Sequence, residues 1–187
     1  MEKSELRKIY KAKRKEFSTT QINEFSSLIL KQLIHSDLLK DTQNIHVFIS
    51  SSALKEVNTQ PIIEYLWANN KTTFVPKVIG NELITCLYNK ETILQKSNWG
   101  ILEPENPEIT SESKIDLVIT PLLTCDINGN RVGYGGGFYD KLFSKCSNDI
   151  KKVGINFFEP TSYSFPLFKT DSPLDFLITP SKVFEFN

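Results

Sequence analysis

Arg131, Val132, Gly133, Tyr134, Gly135, Gly136, Gly137, Phe138, Tyr139 and Asp140 put four glycines within five positions, directly before a segment patterned as a helix. Glycine admits positive φ and lets the backbone come close to a ligand, so successive N–H groups can converge on an anion. The helix that follows adds unpaired N–H groups and the positive end of its dipole. Arg131 can contribute a fork of charged donors to phosphate oxygens, and Asp140, in the first turn, can meet a divalent cation. The glycines alone fit two readings, a phosphate cradle and a turn built for close packing. The spacing matches neither a Walker A loop nor G-x-G-x-x-G.

Outward from that stretch, strand and helix patterns alternate. On the amino-terminal side, 126–130 carries an Asn128-Gly129 hairpin signal, and the apolar run 116–120 before it suits a strand. The cradle therefore follows the carboxyl end of a strand, the edge where open α/β sheets bind ligands. Leu6, Ile9, Tyr10, Lys13 and Phe17 fall near helical spacing, with Ser4 as N-cap and an end near Ser18. Ile22, Phe25, Ile29 and Leu33 predict a second helix, capped by Thr19 or Thr20, and Pro61 opens a third that ends near Asn69 and Asn70. Further strands are expected at 45–50, 72–75, 83–88, 152–156 and 176–179. Residues 96–113 form a long polar excursion of the kind that often carries function. The pattern predicts one α/β domain over 1–187, a three-layer arrangement with a mainly parallel sheet flanked by helices.

Composition narrows the function. The 22 basic and 22 acidic residues cancel, so no global positive field draws in nucleic acid or anionic lipid, and small molecules are the expected partners. No apolar stretch reaches the ~18 residues that span a bilayer, and the charged start lacks the apolar middle of a signal peptide; a cytoplasmic monomer is expected. Cys86, Cys125 and Cys146 are odd in number and far apart, which suits a reducing compartment. With only His35 and His46 as imidazoles, zinc and a histidine-based triad find little support, and catalysis has to rest on charge and positioning.

Several motifs, in order, then resemble the 5-formyltetrahydrofolate cyclo-ligase family over nearly the whole chain. Lys3, Ser4, Glu5, Leu6 and Arg7 resemble its amino-terminal basic helix. Phe48, Ile49, Ser50 and then Glu56, Val57, Asn58 and Thr59 resemble its folate-holding strand and acidic turn, and Asn98, Trp99, Gly100, Ile101, Leu102, Glu103 and Pro104 its Glu-Pro loop. The stretch from Asp126 through Asp140 resembles its most specific signature, and Asp171, Ser172, Pro173, Leu174 and Asp175, with 179–183, its closing motif. Tyr134 stands where relatives often carry arginine or methionine.

The resemblance implies ATP-dependent closure of the formyl group of 5-formyltetrahydrofolate onto nitrogen 10, giving 5,10-methenyltetrahydrofolate, ADP and phosphate. It implies that Lys3, Ser4, Glu5, Leu6, Arg7, Arg131, Val132, Gly133, Tyr134, Gly135, Gly136, Gly137, Phe138 and Tyr139 bind ATP, with Arg131 and Lys3 catalytic. It assigns Ile49, Glu56, Trp99, Tyr134, Gly135, Gly136, Gly137, Phe138 and Tyr139 to the folate, and Asp140 and Asp171 to Mg²⁺. Arg131 is expected to be an exposed cradle residue whose loss spares the fold. Two other readings share this layout: a sugar-phosphate isomerase or acyl-CoA transferase that uses no ATP, and a non-catalytic folate- or nucleotide-binding relative. The retained arginine and metal carboxylates argue against the latter.

Overall fold

A computed structural model describes residues 1–97 and 100–186. Five strands run parallel at its centre: β1 (Asn44–Val47), β2 (Thr72–Ile79), β7 (Leu117–Pro121), β10 (Lys151–Ile155) and β11 (Phe176–Ile178). Antiparallel strands close the edges, β12 (Val183–Glu185) on one side and β3 (Glu82–Leu87) with β6 (Ile109–Thr110) on the other. The eight-stranded order is β12-β11-β10-β7-β1-β2-β3-β6.

The central strands are largely buried on both faces because helices cover both. Ile45, Val47, Leu117, Ile119, Val153 and Ile155 pack with Ile29 and Leu33 of α2 (Thr19–His35) and Ile62, Ile63 and Leu66 of α3 (Gln60–Ala68). On the opposite face Val118 and Leu83 pack with Leu142 and Phe143 of α4 (Phe138–Phe143). The expected three-layer α/β domain with a mainly parallel sheet is the fold found, with three antiparallel strands at its margins.

Local chemistry explains where the boundaries moved. Helix α1 spans Lys3–Lys15, so Ser4 lies inside it; the Glu5 carboxylate closes the amino end by accepting from the Glu2 N–H at 3.0 Å. Its buried stripe is Leu6, Tyr10 and Arg14, whereas Lys13 is exposed. Ser18, not Thr19 or Thr20, caps α2, because Gln21 three residues on completes a reciprocal pair of 3.2 and 2.9 Å hydrogen bonds. Strand β1 stops at Val47, short of Ser50: beyond it Phe48 O accepts from Thr59 Oγ1 at 2.8 Å, and the Ser50 N–H donates to that same hydroxyl at 3.1 Å. Strand β2 runs through Pro76 because β1 no longer pairs beyond Phe74, so the missing N–H breaks no bond on that side.

The excursion at 96–113 carries short strands that its polarity hid. Strand β4 (Leu94–Lys96) pairs with β5 (Leu102–Pro104), and β6 extends the main sheet. The expected hairpin at 126–130 joins β8 (Thr124–Cys125) to β9 (Arg131–Val132). Asp126 organises it, accepting from the Asn128 and Asn130 amides and the Asn130 side chain, each at 2.9 Å. Leu6 and Tyr10 of α1 pack against Leu123, Val132 and Phe165, which places α1 beside the cradle.

Candidate functional site

A cavity of about 1120 Å³ opens at the carboxyl ends of the central strands, above the usual range for one small ligand. Lys3, Arg7, Ile49, Glu56, Arg131, Gly133, Tyr134, Gly135, Gly136, Gly137, Phe138, Tyr139, Asp140 and Asp171 all line it. Residues 97 and 101–103 of the excursion border it too. Ser4, Glu5, Leu6 and Val132 do not; Leu6 and Val132 are wholly buried in the packing that fixes α1 to β9. Trp99 lies outside the described residues.

At the cradle, Gly135 (φ 109°) and Gly137 (φ 64°) occupy left-handed backbone, which a side chain there would strain. Among the described residues the amides of 133–137 donate to no protein group, and residues 135–137 are exposed. Arg7 braces the loop: its Nε donates to Gly133 O at 2.9 Å, and a Cβ on Gly135 would come within 3.4 Å of its guanidinium carbon. Unpaired N–H groups beside three cations form a seat for anionic oxygen.

Two of the three cations, Arg131 and Lys3, are already paired with carboxylates. Arg131 Nη2 lies 2.8 Å from Asp140 Oδ1, its Nη1 donates to Ser172 O, and its guanidinium carbon sits 4.9 Å from the centre of the Phe143 ring. Only 7% of its side chain is exposed, which overturns the expectation of an exposed residue. Lys3 Nζ meets Asp171 Oδ2 at 2.5 Å, between the Phe165 and Phe168 rings. Against the upward push of partial burial, Lys3, the Phe168 amide and Arg131 hold the Asp171 pKa below the usual carboxylate range. The described residues contain no cluster of three or more acidic, histidine or cysteine side chains suited to a metal. Two carboxylates beside a phosphate seat nonetheless fit Mg²⁺, which takes one or two carboxylates and completes its shell with phosphate oxygens and water.

The opposite end is built differently. Glu56, 8% exposed, accepts from the Ser51 N–H at 2.8 Å and from the Tyr134 hydroxyl at 2.6 Å. Burial raises its pKa, while Tyr134, Ser51 and the charge of Arg14 pull it back. Burial also raises the pKa of Tyr139, whose ring meets His46 edge-on at 6.3 Å. His46 is fully buried with neither ring nitrogen hydrogen-bonded, and burial lowers its pKa to about 3, so it stays neutral. Sequence reasoning missed Arg14, which hides in a lysine-rich helix. The available signal was its place one turn beyond Tyr10 and two beyond Leu6 on the apolar, buried stripe of α1.

Comparison with known proteins points to one family. Residues 1–180 match the 5-formyltetrahydrofolate cyclo-ligase family. The chain is 33% identical over 149 residues to the 5-formyltetrahydrofolate cyclo-ligase of Escherichia coli K12, covering 76% of this chain and 80% of that one. It is 28% identical to the probable 5-formyltetrahydrofolate cyclo-ligase of Schizosaccharomyces pombe, covering 98% and 97%. The NMR structure of Aquifex aeolicus 5,10-methenyltetrahydrofolate synthetase superposes with a TM-score of 0.81 at 27% identity, covering 100% of this chain and 94% of that one.

Proposed function

This chain belongs to the 5-formyltetrahydrofolate cyclo-ligase family and is an enzyme of that activity; on that premise we propose that it activates the formyl oxygen of 5-formyltetrahydrofolate with the γ-phosphoryl of ATP. A formamide carbon is a poor electrophile and its oxygen a poor leaving group. The formyl oxygen attacks the γ-phosphorus, ADP leaves, and an imidoyl phosphate results. Nitrogen 10 then attacks the activated carbon, loses its proton, and inorganic phosphate departs with the former formyl oxygen.

Such transfer needs alignment and charge neutralisation rather than a protein nucleophile. The amides of Gly133, Gly135, Gly136 and Gly137 seat the β- and γ-phosphates, and Lys3, Arg7 and Arg131 neutralise them. Asp140 and Asp171 would hold Mg²⁺, which neutralises phosphate charge when bound. Glu56 accepts ring N–H groups of the pterin, and Ile49 and Tyr139 wall it. The observation that carries this reading is that the unpaired cradle amides and the held Glu56 carboxylate open into one cavity. The protein is taken to act as a monomer, and in the cytoplasm, a compartment in keeping with its three free cysteines. No helix among the described residues is long and apolar enough to cross a membrane.

The test is ultraviolet absorbance of the methenyl product together with ¹⁸O placed in the formyl group. Product formation that consumes ATP and moves the label into inorganic phosphate is expected. A rise in absorbance without ATP, or phosphate free of label, would reject activation at oxygen.

A further inference from the structure

We infer that Arg14 and Tyr134 are a positioning pair for Glu56, so that Tyr134 serves the folate side of the cavity and not the phosphates. The inference rests on the folate role proposed above for Glu56. Arg14 is 3% exposed; its buried Nε has no partner among the described residues, and both terminal nitrogens are engaged. Its Nη2 donates to Leu122 O at 2.5 Å and to Asn156 Oδ1 at 3.3 Å, just past the ends of β7 and β10. Asn156 is fixed in turn, donating to Leu123 O at 3.1 Å. The remaining arm, Nη1, donates to the Tyr134 hydroxyl at 2.8 Å.

This contact has a polarity. A guanidinium only donates, so the tyrosine oxygen accepts from Arg14, and its single hydrogen is directed elsewhere. It goes to Glu56 Oε1 at 2.6 Å, while Ser51 N–H occupies Oε2 at 2.8 Å. An ionised carboxylate has about four lone-pair sites, so each oxygen keeps one. Glu56 thus presents two side-by-side acceptors, which suit two parallel N–H donors on a planar ring. The groups facing Glu56 are Tyr134 from the cradle, Arg14 from α1, the Ser51 amide of its own turn, and Tyr139 from α4. Burial raises the Glu56 pKa, and Tyr134 and Arg14 oppose that push, so losing either favours the protonated form that no longer accepts on both oxygens.

Tyr134→Phe, which keeps the ring, and Arg14→Lys, which keeps a charge but loses the fork, test this with wild type assayed in parallel. Expected for Tyr134→Phe is a rise of about tenfold in KM for 5-formyltetrahydrofolate, growing as pH is lowered, with KM for ATP within twofold of wild type. Arg14→Lys should shift the same constant in the same direction. Overturning results are an unchanged folate KM, an ATP KM that rises as much as the folate KM, or a loss of kcat alone. Calorimetric folate binding by each variant supplies a readout that does not depend on turnover. If wild type forms no product with Mg·ATP, the proposed function fails and takes this inference with it; if wild type turns over and the variants keep its folate KM, the inference alone fails.

Discussion

The two ends of the cavity hold their charges by opposite means. At the cradle, Lys3 with Asp171 and Arg131 with Asp140 are simple cation–carboxylate pairs, each partner facing the cavity. Around Glu56 the partners are a buried arginine, a tyrosine and a backbone amide, anchored to strand ends. A phosphate with its metal can replace both halves of a cradle pair at once, anion for carboxylate and cation for lysine or arginine. Neither ion alone leaves the charges balanced, so on the proposed function the unit expected to bind is Mg·ATP. The Glu56 end has no such exchange to make, and its held carboxylate suits the neutral ring proposed for it.

The largest expected effect lies at the cradle. Arg131→Ala should lower kcat/KM by roughly 10³, about 4 kcal/mol, as loss of a preorganised charged donor does. Because the side chain is buried against Asp140 and Phe143, the same change should also cost about 2–3 kcal/mol in chemical denaturation. Arg131→Lys separates the two effects, keeping most of the stability while losing roughly 10² in turnover because the planar fork is gone. If Arg131→Lys turns over like wild type, a point charge suffices and the fork has no role. At the other end, Glu56→Gln should weaken folate binding about fiftyfold, roughly 2.3 kcal/mol, and ATP binding by less than twofold. An amide there sets its NH₂ group against either the Ser51 N–H or the Tyr134 hydroxyl, and in both orientations against one ring donor. Calorimetry that ranks the two ligands the other way would exchange the assignments of the two ends.

How far the residues alone spoke follows the same division. The cradle was legible because glycine, arginine and aspartate are contiguous and each type has a narrow set of uses. The central strands were legible as apolar runs long enough to be buried on both faces. Arg14 was not, since its meaning depends on Tyr134, 120 residues away, and on strand ends that only the assembled sheet brings near. Strands β4, β5, β6 and β12 escaped for a related reason: at two or three residues each, they show no period and exist only through their pairing partners. Arg131 was misjudged as exposed because a phosphate-binding role suggests openness, whereas the closing segment supplies Ser172 O to cover it.

Against Tyr139 lies the buried His46, which separates ligand chemistry from the stability of the packing beside the site. Its folded pKa is lowered to about 3 from 6.5, so the unfolded chain takes up the proton first as pH falls. Stability from this group is complete above about pH 6.5 and declines toward pH 3, the loss from pH 7 to pH 5 being about 2 kcal/mol. Glu56, with a raised pKa, contributes the opposite slope near its own range, so the wild-type curve alone does not isolate the histidine. The difference between wild type and His46→Leu does, because both chains share every carboxylate. Urea unfolding of the two at pH 7 and pH 5 should show wild type losing about 2 kcal/mol more than the variant. Parallel losses would mean that His46 takes up its proton as readily in the folded protein as in the unfolded chain, with water or a rearranged Tyr139 reaching it.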